Sequence, residues 1–285
     1  MTMSHSGFSP ENRRLREIGL LHYLTHWLYS FIEPKIILKL VDVLLSSRLL
    51  TSTRPGKWLM LMIARASRDL PHGIVVSTQA AENVVDYLDR LEGPDNGRFA
   101  LGPCLCQLAT CKWEEPLLKD IQFLYAKDMF MRLGLGYKVV PAGRVKELLR
   151  QCHTLGYVHA LEMCRQSGKW LFCICNCEPR ICAPTRVFLL TGEMMWKGPE
   201  RCESQPARCL GPDTCGKCLD RCIFDANLIR DNTVSVDDAK CMGCGLCVST
   251  CPGQARTMTI RNDYAHEHQV PADILLGRQA AEADG

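Results

Sequence analysis

Long hydrophobic runs are missing from this 285-residue chain. No segment approaches the roughly 18 uncharged apolar residues that a membrane-crossing helix requires. The most apolar stretch, Trp58 to Ala64, is over within seven residues. A secretory leader pattern is also lacking. Met1 to Pro10 is polar, and the first apolar stretch is broken by His22, His26, Glu33 and Lys35, so a cytoplasmic location is expected. No Gly-x-Gly-x-x-Gly fingerprint and no Gly-x4-Gly-Lys-Ser/Thr loop is present, which argues against nucleotide chemistry. There is no Cys-x3-Cys-x2-Cys run either. The formal net charge is only +3, without the dense basic stripe that phosphate backbones demand, so no nucleic-acid partner is expected.

Cysteine, by contrast, is abundant. The chain has 18, eight of them between Cys209 and Cys251. In a short secreted protein such a number signals a disulfide scaffold; without a secretory pattern it signals thiols loaded with metal. The later run reads Cys241-x2-Cys244-x2-Cys247-x3-Cys251-Pro252, and the earlier one Cys209-x5-Cys215-x2-Cys218-x3-Cys222. A Cys-x2-Cys-x2-Cys loop can curl round a cubane and supply three of its four thiolates, and the x3 step starts a helix that carries the last cysteine away. Zinc sites usually pair two Cys-x2-Cys units across a long spacer and do not end in Cys-x3-Cys-Pro. Between the runs, Asp231-Asn232 is a turn signal. Val234 and Val236 alternate with polar neighbours as a short strand does. Gly243 and Gly245 let backbone approach sulfur.

On these residues, 205–262 resemble the bacterial two-[4Fe–4S] ferredoxin domain. In that family the fourth cysteine of each run ligates the other cluster. The resemblance therefore implies Cys209, Cys215, Cys218 and Cys251 around one cluster, and Cys241, Cys244, Cys247 and Cys222 around its neighbour. Two departures stand out. Ile223 replaces the proline expected after the first run, and Leu210 to Thr214 makes the first interval three residues longer. If Cys209 cannot fold back, that site holds a three-iron cluster or recruits Cys202.

Seven further cysteines fall into two groups, Cys104-x-Cys106-x4-Cys111 and Cys173-x-Cys175-x-Cys177-x4-Cys182. In a strand, Cys-x-Cys places both sulfurs on one face. Adjacent strands would unite the two groups in a third metal site, iron–sulfur or zinc. Free core thiols and a redox disulfide are the alternatives. Cys152 and Cys164 have no ligand spacing and read as core. His22 and His26, at i and i+4, read as packing or surface residues. Pro103-Cys104-Leu105-Cys106, Gly156-Tyr157-Val158-His159 and Ile174-Cys175-Asn176-Cys177 resemble a broad group of prokaryotic iron–sulfur proteins with a Cys-x-Cys-bearing N-terminal domain and a C-terminal dicluster ferredoxin. The similarity spans about residues 98–262. That group is richer in cysteine where Glu178 and Arg180 stand here.

The fold class expected is α+β, in four parts. Residues 1–97 form a helical region with a partner-docking face, and 98–204 a mixed α+β domain with the third metal site. Residues 205–262 form the dicluster domain and 263–285 a tail. Helices are expected over 11–31, 34–47, 58–66, 79–92, about 116–132 and 144–154, and strands over 98–106, 157–161 and 169–175. Residues 1–70 carry ten Lys/Arg against five Asp/Glu, and 205–285 carry eight against eleven. Such polarity orients a redox partner or is simply a solvated surface. The function expected is an electron-transfer protein with two [4Fe–4S] clusters, a ferredoxin-like subunit or partner of an oxidoreductase rather than a stand-alone enzyme. No transmembrane span is expected, and peripheral membrane contact is left open. An enzyme with a substrate-binding third cluster is the alternative. A DNA-binding regulator, read from the winged-helix outline of 144–175, ranks below it.

Overall fold

The computed structural model describes residues 20–67, 72–92, 99–164, 170–264 and 270–278, and mixes helices with sheets. The expected helix start at residue 11, the turn at 94–97, the hairpin tip at 165–169 and the tail beyond 278 lie outside the described residues.

Four helices come first among the described residues: α1 (Leu20–Ile32), α2 (Leu38–Ser46), α3 (Arg48–Ser52) and α4 (Arg54–Ala66). Between α1 and α2 runs a π-helical turn, Glu33–Ile37. Pro34, expected to begin a fresh helix, sits in the first turn of that segment, where its missing N–H is least costly. Thr53 caps α4 by accepting from the Gly56 N–H at 3.1 Å. A Cβ on Gly56 would lie 2.2 Å from the Leu49 carbonyl oxygen, so only glycine lets α3 and α4 approach this closely. One side of the helices is buried through Leu38, Met60 and Ala64, whereas Leu24, Leu28, Val43 and Trp58 are exposed. Among the described residues no helix is long and apolar enough to cross a membrane.

The centre is a seven-stranded sheet of order β4-β2-β3-β6-β5-β1-β7. Its strands are β1 (His72–Val76), β2 (Phe99–Pro103), β3 (Leu118–Phe123), β4 (Lys138–Val140), β5 (Val158–Cys164), β6 (Trp170–Cys177) and β7 (Met195–Lys197). All neighbours are antiparallel except β1 and β7. Several expectations need correction. Strand β1 lies inside the stretch read as helical, so the sheet crosses the boundary drawn at residue 97. Its Gly-Ile-Val-Val is a short buried apolar run, which periodicity alone does not assign. The helix expected over 116–132 divides into β3 and α7 (Leu124–Arg132). Residues 118–123 alternate with period two, placing Ile121 and Phe123 on one face and Asp120 and Gln122 on the other. Strand β2 ends at Pro103, so Cys104 and Cys106 stand at the start of α6 (Leu105–Thr110), not in a strand. The winged-helix outline fails because β5 and β6 are interior strands of the sheet.

Each face of the sheet is covered. On one, α5 (Thr78–Glu92), α8 (Ala142–Leu155) and α12 (Ala272–Leu275) bury Val84, Leu88, Leu148 and Leu149 against Phe99, Ile121, Leu161 and Ile174. Each such side chain contributes about 1.5–3 kcal/mol when removed from water. On the other, α6, α9 (Ala183–Thr191) and the N-terminal helices pack on Val75, Val158, Ala160 and Cys177.

The C-terminal region is built of small pieces. Strands β8 (Glu200–Ser204) and β11 (Arg256–Ile260) pair antiparallel, as do β9 (Asn227–Arg230) and β10 (Thr233–Val236). Asp231 and Asn232 both have left-handed backbones, φ 46° and 54°, as a tight hairpin with its strands' twist requires. Helices α10 (Lys217–Arg221) and α11 (Leu246–Ser249) complete the region. It is fastened to the sheet domain by polar bonds. Arg221 donates to the carbonyls of His153 at 2.8 Å and Thr154 at 2.6 Å, satisfying the C-terminal end of α8. Ser77, the cap of α5, donates to the Glu200 carboxylate.

Candidate metal centres

The two cysteine runs interlock. Cys209 follows a 3-10 turn at Pro206–Arg208, Cys218 lies in α10, and Cys251 follows α11. Together with Cys215 they line one small cavity, closed by Pro252 and Arg256. The longer first interval folds into a turn in which the Cys215 N–H donates to the Gly211 carbonyl at 3.1 Å. Cys209 thereby reaches the same cavity. Cys202, the other candidate for that position, is not among its lining residues. It lies in β8, where its sulfur accepts from Arg256 Nη1 at 3.7 Å and hydrogen-bonds Cys247.

Cys222, at the end of α10, is near Cys241, Cys244 and Cys247, and shares a packed cluster with Cys209 and Cys218 of its own run. Burial pushes the Cys222 thiol up, and Cys247 and Cys241 add to the shift. Burial likewise raises Cys244, with Cys247, Cys222 and Cys241 contributing. Backbone N–H groups point at these sulfurs, Ala226 to Cys222 at 3.4 Å and Cys202 to Cys241 at 3.5 Å. Ala255 donates to Cys251 at 3.3 Å. Such donors favour the thiolate form that a metal takes. Gly243, at φ +81°, presses against the Glu200 carbonyl, where a Cβ would lie at 2.2 Å. The loop therefore needs glycine twice over, for conformation and for space.

Arg256 was not singled out by the sequence reading. It is 4% exposed and stretches between the runs, donating to Asn227 Oδ1 at 2.8 Å and the Val234 carbonyl at 3.1 Å as well as to Cys202. A buried guanidinium beside so many thiols supplies fixed positive charge.

Six cysteines of the second set, Cys104, Cys106, Cys173, Cys175, Cys177 and Cys182, line one cavity, and Cys111 is not among its lining residues. Cys104 and Cys182 occupy the N-cap positions of α6 and α9. Cys106 hydrogen-bonds Cys104 and Cys182, and Cys177 hydrogen-bonds Cys182. Bonds from Cys106, Cys177 and Thr185 hold the Cys182 thiol down. The bond to Cys104, then that to Cys182, pushes Cys106 up; the bond to Cys182 and then burial push Cys177 up. Ala183 adds an N–H to Cys106 at 3.4 Å. These four thiols lie in one apolar cluster with Phe224, Met242, Leu246, Cys222 and Cys244 of the C-terminal region. Cys111, expected with them, is exposed on a left-handed residue and only approaches the Leu108 carbonyl at 3.9 Å. The left-handed turn at Cys111 carries it away from the site.

Cys173 and Cys175 form a close pair within that set, sulfurs 3.8 Å apart. The antiparallel register sets Asp120 opposite Cys175, and Glu162 opposite Cys173. These groups line a cavity of about 160 Å³ between the sheet and the N-terminal helices. Its walls are apolar where α2 and α4 face it, through Leu38, Val41, Met60 and Ala64. Desolvation pushes Asp120 up to about 6, opposed by bonds from Tyr137, Gln122 and Cys175. Glu33, in the π-helical turn, is pushed up to about 8, by desolvation first and then by Asp120. Burial, then Cys182, raises Glu162. Burial raises Cys173 to about 12. π-Helical turns recur at functional sites, and here one delivers a carboxyl to the cavity. The sequence reading missed Asp120, Glu33 and Glu162. The available signal was the Asp-x-Gln alternation of β3, which a helix assignment hides.

Cys152 is buried in the apolar core under α8, as expected, and the side chain of Cys164 lies outside the described residues. His26 is buried edge-on against Tyr125, ring centroids 5.6 Å apart; the side chain of His22 is likewise outside them.

Residues 234–257 match the family described as 4Fe-4S binding domain. The match includes Cys241, Cys244, Cys247 and Cys251, gives the chain an iron–sulfur, ferredoxin-like region, and implies at least one [4Fe–4S] cluster. No curated protein and no solved structure matches the chain.

Proposed function

We propose that this chain is an electron-transfer protein with two [4Fe–4S] clusters, acting with a redox partner in the cytoplasm. The observation that supports the reading is where the fourth cysteine of each run lies. Cys251 of the later run lines the cavity of Cys209, Cys215 and Cys218, while Cys222 of the earlier run stands with Cys241, Cys244 and Cys247. The donor chemistry suits such clusters: eight thiols, backbone N–H groups aimed at sulfur, and no carboxylate or imidazole among the small cavity's lining residues. When bound, each cluster cycles between two oxidation states and so passes single electrons. The protein's part is to exclude water, to donate hydrogen bonds that stabilise the more negative state, and to place the Arg256 charge between the two thiol sets.

Cys104, Cys106, Cys177 and Cys182 are the proposed third metal-binding set, iron–sulfur or zinc. They adjoin Cys222 and Cys244 within one apolar cluster, which extends the line of thiols from the C-terminal region toward the cavity. Anaerobic purification with iron and acid-labile sulfide analysis tests the whole reading. About eight of each per chain fits two clusters, and about twelve adds a third. EPR of the reduced protein should show two coupled paramagnets. Stoichiometric zinc without labile sulfide would sink the electron-transfer reading.

A further inference from the structure

We propose that Asp120, Cys173 and Cys175 form a mononuclear site for a thiophilic divalent cation of the zinc class, separate from every iron–sulfur centre. Among the described residues this is the one trio of His, Cys, Asp or Glu whose ligand atoms all lie within 4.8 Å of one another. The metric is that of a single ion. Four ligands at tetrahedral angles, with zinc–sulfur bonds of about 2.3 Å and zinc–oxygen bonds of about 2.0 Å, set sulfur–sulfur edges near 3.8 Å and sulfur–oxygen edges near 3.5 Å. Here Cys173 Sγ and Cys175 Sγ are 3.8 Å apart, and Cys175 Sγ lies 3.7 Å from Asp120 Oδ1.

The surroundings are those of a prepared ligand set. Of the three donors to Asp120, the Tyr137 hydroxyl and Gln122 Nε2 (at 2.8 Å) engage Oδ2, and only the Cys175 thiol engages Oδ1. Partners of this kind orient first ligands in metalloproteins. Gln122 is 1% exposed and lines the cavity, yet its Oε1 has no hydrogen-bond partner. Buried acceptors are seldom left so; a water on the metal would satisfy this one. Charge agrees as well. Glu33, Asp120 and Glu162 share the cavity, and the single Lys or Arg among its lining residues, Lys119, turns its ammonium to the Glu114 carbonyl at 2.8 Å. A divalent cation provides the positive charge these carboxyls lack. Three protein ligands leave a fourth position, the arrangement of zinc sites that act on a bound molecule, and all three line the cavity.

The site stands independently of the electron-transfer reading, and the test keeps the two apart. The cluster-loaded full chain is incubated anaerobically with zinc, desalted, and analysed for zinc, iron and labile sulfide. The wild type should retain one zinc more than Asp120→Asn and Cys173→Ser, with iron and sulfide equal in all three. Equal zinc in wild type and both variants overturns the proposal. Zinc-edge absorption fine structure on the wild type needs no variant to fold. Mixed sulfur and light-atom ligation is expected, and a shell of sulfur alone overturns the site. Low iron or sulfide in the wild type would instead count against the clusters.

Discussion

The C-terminal region and the sheet domain both concentrate cysteine but position it by opposite means. In the C-terminal region eight thiols come from two short runs, and left-handed glycines with one-turn helices turn them inward. In the sheet domain the thiols come from two helix caps, one helix and one strand, drawn together by pairing across more than seventy residues. The first arrangement is local and is written in spacing. The second exists only once the sheet has formed, and it collects carboxylates that no spacing rule announces.

Breaking the local arrangement should have the largest effect. Cys222→Ala and Cys241→Ala should each remove about four irons, one cluster's complement, and the double variant should lose no more than either alone. Loss of about eight irons in the double variant would mean that each run serves its own cluster. Breaking the sheet comes next. Leu149, on the sheet-facing side of α8, is fully buried, and Leu149→Ala should cost about 2–5 kcal/mol. This reads as a lowered thermal midpoint by circular dichroism with iron content unchanged before the transition.

The remaining predictions sharpen the contrast in electrostatics. Arg256→Gln removes a buried positive charge and should lower the reduction potential on the order of tens of millivolts, whereas Arg256→Lys should retain most of it. Voltammetry of both variants checks this; equal shifts would show that hydrogen bonding, not charge, is what matters. In the cavity, Glu33 is held neutral up to about pH 8 against an ordinary value of 4.5. Between those limits the folded chain binds a proton that the unfolded chain lacks. Its contribution is complete below about pH 4.5 and is lost as pH rises through 8. Glu33→Gln should therefore flatten the fall in thermal midpoint over that window. An unchanged slope would place the titration elsewhere.

How much of this was legible in the sequence follows the same divide. Cys-x2-Cys-x2-Cys spacing, the Asp231-Asn232 turn and the α8 periodicity depend on near neighbours, and their elements stand where the residues suggested. Strand β1 was missed because four buried apolar residues show no period. Strand β3 reads as helix in the sequence because its polar residues face a cavity, where alternation looks like irregularity. The seven cysteines of the second set were grouped by rhythm alone. Their partition needed the β3–β6 register, which pairs Asp120 with Cys175, and the left-handed backbone at Cys111.

Strand β6 carries three of these thiols on one face, and all three line the cavity, Cys177 also bonding Cys182. Two residues of strand separate their α-carbons by only about 7 Å, a spacing that the backbone keeps as the sheet moves. A unit charge gained at Cys177 is then felt at Cys175 as about 2 kcal/mol, more than a tenfold change in any binding equilibrium there. The two proposed occupancies, a cation at one group and a metal at the other, are thereby predicted to be coupled through a single strand, with no moving part between them.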